Sequence, residues 1–179
     1  MTSASWVENL SALARGQAEH VHAALATAQS AAAWVPKVLS AQQHQTVAAL
    51  VELIIPQTTT PGAKAALVDR FIDTLLDGAE RPDRERFLNG LGWLDTRSQA
   101  LYRSTFLSAS SAQQVELLTR LSTGASADDR AGEEFFTAIK SMTITGYYTS
   151  EIGLRDELGD NGQLVLPAFE GCTHPGHQG

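Results

Sequence analysis

The chain has 179 residues, of which 43% are apolar and 18% charged, and its formal net charge is −7. That length suits one domain with one core, and the composition is ordinary for a globular protein, with nothing that calls for a disordered, fibrous or membrane-embedded class. The acidic balance repels phosphate backbones, there is no Lys/Arg cluster, phosphate loop or zinc-finger spacing, and the single cysteine, Cys172, leaves no intrachain disulfide.

Ser5 and Glu8 form a plausible capping box at the start of a first helix. Val7, Leu10, Ala14, Gln17, Val21, Ala24 and Ala28 follow at three- and four-residue steps, an amphipathic stripe. Being rich in alanine, the stripe buries little area per turn and suits lying against another surface. Trp34, Val35 and Pro36 end the segment. Residues 1–35 hold only one cation, Arg15, with no charged leader followed by an apolar core and no twin arginine. The expected location is the cytoplasm, or the periplasm if a signal was removed or replaced. No apolar run reaches the ~20 residues that span a bilayer.

A second helix opens at Ser40 with Gln43 three residues on, a second capping box, and Leu39 stands before it as a hydrophobic staple. Val47, Leu50, Val51, Ile54 and Ile55 make its buried face, and Pro56 stops it. A polar loop from Gln57 to Gly62 contains the turn pair Pro61-Gly62. A third helix is predicted from about Ala65 to Leu76, with Val68, Phe71, Ile72 and Leu75 on one face and Gly78 as its stop. Pro82 begins a fourth, which carries Phe87, Leu88, Leu91, Trp93 and Leu94; Gly90 and Gly92 mark a kink or close packing. Ser110 or Ser111 caps a fifth with Val115, Leu117, Leu118 and Leu121. Gly124 to Asp129 is a loop, and a sixth helix runs from about Arg130 to Thr145 with Phe135, Phe136, Ile139 and Met142 inward. Tyr147 to Gly153 then reads as an aromatic, hydroxyl-rich turn leading to a short helical piece that ends at Leu158. Beyond it the only strand-like stretch is Gln163 to Leu166.

The expected fold is therefore all-α, a compact bundle of about six helices with an extended C-terminal tail. Residues 1–38 form an N-terminal amphipathic helix that can serve as an arm wrapping a partner, 39–158 the helical domain, and 159–179 the tail.

Chemistry is scarce along this chain. Cys172, His174 and His177 have the spacing C-x-H-x-x-H, which a tight loop can bring onto zinc or iron, but three ligands do not close a structural site. His20 and His22 lie two apart on a helix and point to different sides, and all of His20, His22 and His44 read as solvated. No Gly-x-Ser-x-Gly elbow and no Gly-rich strand-to-helix turn for a dinucleotide is present. Asp128-Asp129 and Glu133-Glu134 suit the start of a helix. No catalytic residue is assigned. Tyr147, Tyr148, Thr149, Ser150 and Glu151 are the candidate partner-binding residues, because tyrosine offers large area with few rotatable bonds and a polar tip. The competing reading packs both tyrosines on the chain's own core.

Three stretches resemble the gluconate 2-dehydrogenase subunit 3 family. They are Leu53-Ile54-Ile55-Pro56 with Thr60-Pro61-Gly62-Ala63, then Phe135-Phe136 leading into Ile139 to Thr145, and most specifically Gly146 to Gly153. The resemblance spans roughly residues 40–170. It implies a non-catalytic small subunit that binds and stabilises a large FAD-bearing subunit of glucose–methanol–choline type, which oxidises a sugar or sugar-acid hydroxyl. No cofactor is expected in this chain; FAD, in some systems with an iron–sulfur cluster, belongs to the partner, and some systems add a cytochrome as electron acceptor. Many members begin with a twin-arginine signal, which residues 1–35 lack. Two other readings are a small helical metal protein using Cys172, His174 and His177, and a helical adaptor unrelated to redox work.

Overall fold

A computed structural model describes residues 4–28, 34–124 and 127–160. Among these residues the secondary structure is helical, in six α-helices: α1 Ala4–Ala28, α2 Ala41–Ile54, α3 Val68–Gly78, α4 Arg81–Tyr102, α5 Ser111–Thr123 and α6 Arg130–Tyr148. Single 3₁₀ turns at Phe106–Ser108 and Ala127–Asp129 precede α5 and α6, and a π turn at Gly153–Glu157 follows α6. The all-α bundle expected from the periodicity is what forms. The strand-like stretch at 163–166 and nearly all of the predicted tail lie outside the described residues.

The bundle is organised around α6, which touches each of the other five helices. Its side chains explain why: Phe135, Phe136, Ala138, Ile139, Met142, Thr143 and Tyr147 are all buried, so apolar groups point to more than one side. A helix apolar over most of its circumference belongs in the middle of a core. α4 approaches it closely at Gly90, where a Cβ would run into the Phe135 ring. Close packing is thus the reason for that glycine, whereas a Cβ at Gly92 would meet open space.

The first helix belongs to this core. Trp6, Leu10, Ala14, Ala18, Val21 and Leu25 are buried, mostly against α6 and α3 with α4 alongside. Residues 1–38 were expected to form a partner-wrapping arm; in the structure the inner stripe of α1 completes the chain's own interior, and its outer face is exposed. Its phase also differs from the sequence reading. Gln17 and Ala24 are exposed, while Ala18 and Leu25 are buried. Steps of four from Trp6 to Leu10, Ala14 and Ala18 follow a 3.6-residue turn about as well as the expected positions, and only the bulk of Trp6 and Leu25 decides between them. The helix is already formed at Ala4, so Ser5 lies inside it rather than at its cap.

Local signals elsewhere set the helix ends. Ser40 and Ser110 each accept from the backbone N–H three residues on, while Gln43 and Gln113 reach back to the cap N–H. Gly124 ends α5 in the left-handed region at φ 65°, where glycine carries no Cβ penalty. Pro82 sits in the first turn of α4.

Buried carboxylates tie these elements together. Asp73, fully buried on α3, accepts from the backbone N–H groups of Lys37 (2.7 Å), Val38 (3.1 Å) and Leu39 (2.9 Å), which pins the chain entering α2. Asp129, also fully buried, accepts from Arg120 Nε and faces Arg97 Nη2 at 2.7 Å, the latter an ion contact without hydrogen-bond alignment. It clamps α4 and α5 to the start of α6. Both arrangements satisfy the rule that a buried charge must be paired or hydrogen-bonded.

Candidate functional site

The stretch singled out in the sequence, Tyr147 to Gly153, spans the last turn of α6 and the reversal that follows it. α6 runs three residues further than predicted, so Tyr147 and Tyr148 are helical and diverge in direction. Tyr147 is 1% exposed and its hydroxyl donates to the Pro61 carbonyl at 2.7 Å. Tyr148 is 37% exposed and meets the Tyr147 ring edge-on, 5.2 Å between centroids. Of the two readings held open for the tyrosines, the core takes Tyr147, and Tyr148 stands at the surface. Burial pushes the Tyr147 hydroxyl above its ordinary pKa, which keeps it a donor.

Ser150 is buried as well. Its hydroxyl donates to the Tyr147 carbonyl (2.6 Å) and accepts from the Gly153 amide (3.0 Å), so one side chain ends α6 and starts the π turn. A Cβ at Gly153 would run into the Tyr147 carbonyl, so the reversal needs glycine there. Thr149 and Glu151 are exposed. The Thr149 hydroxyl donates to the Thr145 carbonyl at 2.6 Å, and Glu151 pairs with Arg155 one turn on.

The 57–64 loop forms the other wall. Glu52 accepts from the amides of Gln57 (2.9 Å) and Lys64 (3.1 Å), folding the loop around Gly62. A Cβ there would lie 2.6 Å from the Gln57 nitrogen. Thr60 donates to Glu157 at 2.6 Å, so the loop is bonded to the π turn as well as to Tyr147. Two stretches 86 residues apart in sequence thus form one braced corner. Leu67, at φ 58°, turns the chain into α3.

Beside this corner lies a cleft of about 190 Å³ between α1, the 65–67 turn and the residues after α6. His22, Leu25, Leu67, Ser150, Glu151 and Ile152 line it. His22, expected to be solvated, is half-buried and stacks on Phe71 at 5.0 Å between centroids. Its Nε2 lies 2.9 Å from the Thr149 hydroxyl oxygen. Burial lowers the His22 pKa, against an upward pull from its bond to the Gly146 carbonyl. His44 is likewise not a free surface group: its Nε2 is 2.6 Å from the buried Asp69 carboxylate, and Trp34 packs on its ring. Of these three histidines, only His20 is exposed as expected.

These groups brace backbone and ring positions. Thr149, the hydroxyl next to His22, is committed to the helix end, and so is a poor nucleophile. Among the described residues no group of three or more His, Cys, Asp or Glu is placed to hold a metal. Cys172, His174 and His177 lie outside the described residues. No helix among those described is long and apolar enough to cross a membrane.

The sequence model of gluconate 2-dehydrogenase subunit 3 matches residues 41–161. No curated protein and no solved structure shows a significant match to the chain.

Proposed function

Since the chain belongs to the gluconate 2-dehydrogenase subunit 3 family, we propose that it is the non-catalytic small subunit of a flavin-dependent sugar dehydrogenase. It binds the folded FAD-bearing large subunit, of glucose–methanol–choline type, and stabilises it by mass action. The match across residues 41–161 carries this reading. The corner built from Tyr147, Ser150, Glu52 and Pro61 supports it, because those polar groups hold backbone to backbone. Such a corner offers a partner a fixed shape, and Tyr148, Thr149 and Glu151 are the parts of it a partner can touch.

The test is co-expression. The large chain produced with this one should be soluble, flavin-loaded and active on a sugar hydroxyl, and produced alone it should be largely insoluble. This chain purified by itself should show no flavin absorbance and oxidise no sugar. Turnover of gluconate, glucose or a glycoside by the isolated chain would overturn the proposal.

A further inference from the structure

An apolar groove of about 260 Å³ lies between α2, α5 and α6, away from the braced corner. Leu53 and Ile54 form one wall, Val115 and Leu118 the other, and Phe136 and Lys140 of α6 lie along it. Val115, on the wall from α5, is 50% exposed. The ridge continues along α6 at four-residue steps, through Ile144 (41% exposed) to Tyr148. Residues four apart are neighbours on a helix surface, so Phe136, Lys140, Ile144 and Tyr148 form one line from the groove to the end of the helix.

Among the described residues, Lys140 is the only charged group lining this groove, and it has no ion-pair partner there. That fact selects the occupant. In a symmetric dimer built on this face, each copy would present the same apolar walls and the same ammonium, and no lining carboxylate would receive it. A heterologous partner that brings both apolar side chains and one carboxylate fits both features.

We propose that this face seats an amphipathic segment of the large dehydrogenase subunit, its apolar side chains filling the groove and one carboxylate meeting Lys140. The proposal rests on the small-subunit reading above and adds the surface and the chemistry of the contact.

Photo-crosslinking in the intact complex tests it. Benzoylphenylalanine is placed at position 115 or 144, and at position 100 on the exposed side of α4 as a control, in the full chain co-expressed with the tagged large subunit. Adducts from positions 115 and 144 to a large-subunit peptide that is apolar and contains an acid are expected, with none from position 100. In parallel, Lys140→Glu should weaken association by at least about tenfold, with an unchanged melting curve because the side chain is exposed. Reversal of the crosslinked acid to Lys should restore it.

Adducts to a second copy of this chain, or to its own residues 161–179, would overturn the assignment. So would a complex that forms but crosslinks only from position 100, an outcome that leaves the small-subunit reading intact. Absence of any complex with the wild-type chain would remove both.

Discussion

Asp73 carries more of the architecture than any motif in the sequence suggested. Its carboxylate satisfies three successive amides, Lys37 to Leu39, that no strand or helix would otherwise pair. In Asp73→Ala those amides become buried donors without acceptors, and hydrogen bonds to a charged group are among the more valuable ones. The expected loss is about 3 kcal/mol, read as a shift of the urea midpoint at unchanged slope. A midpoint that does not move would mean that water replaces the carboxylate. His22 gives a pH signature. Its folded pKa lies below the ordinary 6.5 because of burial. The unfolded chain therefore takes up a proton first as pH falls. The His22 contribution is complete above pH 6.5 and is lost below it, towards the lower folded value. Melting temperature should drop across that window, and His22→Gln should flatten the drop. An equal slope in the variant would assign the effect to other groups.

At the scale of elements, what the sequence showed and what it hid separate by range. Helix starts set by adjacent residues were legible in part: the box at Ser40, a serine cap at Ser110 or Ser111, and Pro82 in the first turn of α4. Those devices act over three or four positions, which is the distance a sequence pattern reports. α3 was placed three residues early because residues 63–67 form a turn that ends in Leu67 at φ 58°, a conformation a leucine does not advertise. α6 was cut short because the hydroxyl-rich stretch after Gly146 resembles a loop, yet Tyr147 extends the helix by packing into the core and bonding Pro61. The orientation of Tyr147 and Tyr148 had the same obstacle. Adjacent helical residues differ by about 100° in direction, and which of them faces inward depends on neighbours 86 positions away. The pairing of His44 with Asp69, and of Asp129 with Arg97 and Arg120, is equally invisible along the chain because the fold creates it.

For the molecule as a whole, the position of α1 decides what a truncation can teach. An arm that embraces a partner could be removed and leave a folded domain behind. Here Trp6, Leu10, Val21 and Leu25 are each at most 7% exposed and cover α6, α3 and α4. Burial of a large apolar side chain is worth roughly 1.5–3 kcal/mol, so these four together contribute on the order of 8 kcal/mol. Domains of this size are stable by only about 5–15 kcal/mol. Deletion of residues 1–28 should therefore abolish cooperative unfolding. Near-ultraviolet circular dichroism should be lost and a hydrophobic dye should bind, while far-ultraviolet signal from the remaining helices persists in part. A truncated chain that still melts in one sharp transition, within a few degrees of the full chain, would return α1 to the role of a detachable arm. Because the core needs this helix, failure of such a truncation to bind the proposed large subunit would report lost folding. Contacts made by α1 have to be probed through outward residues such as Arg15, Glu19 and His20, whose replacement leaves the inner stripe in place.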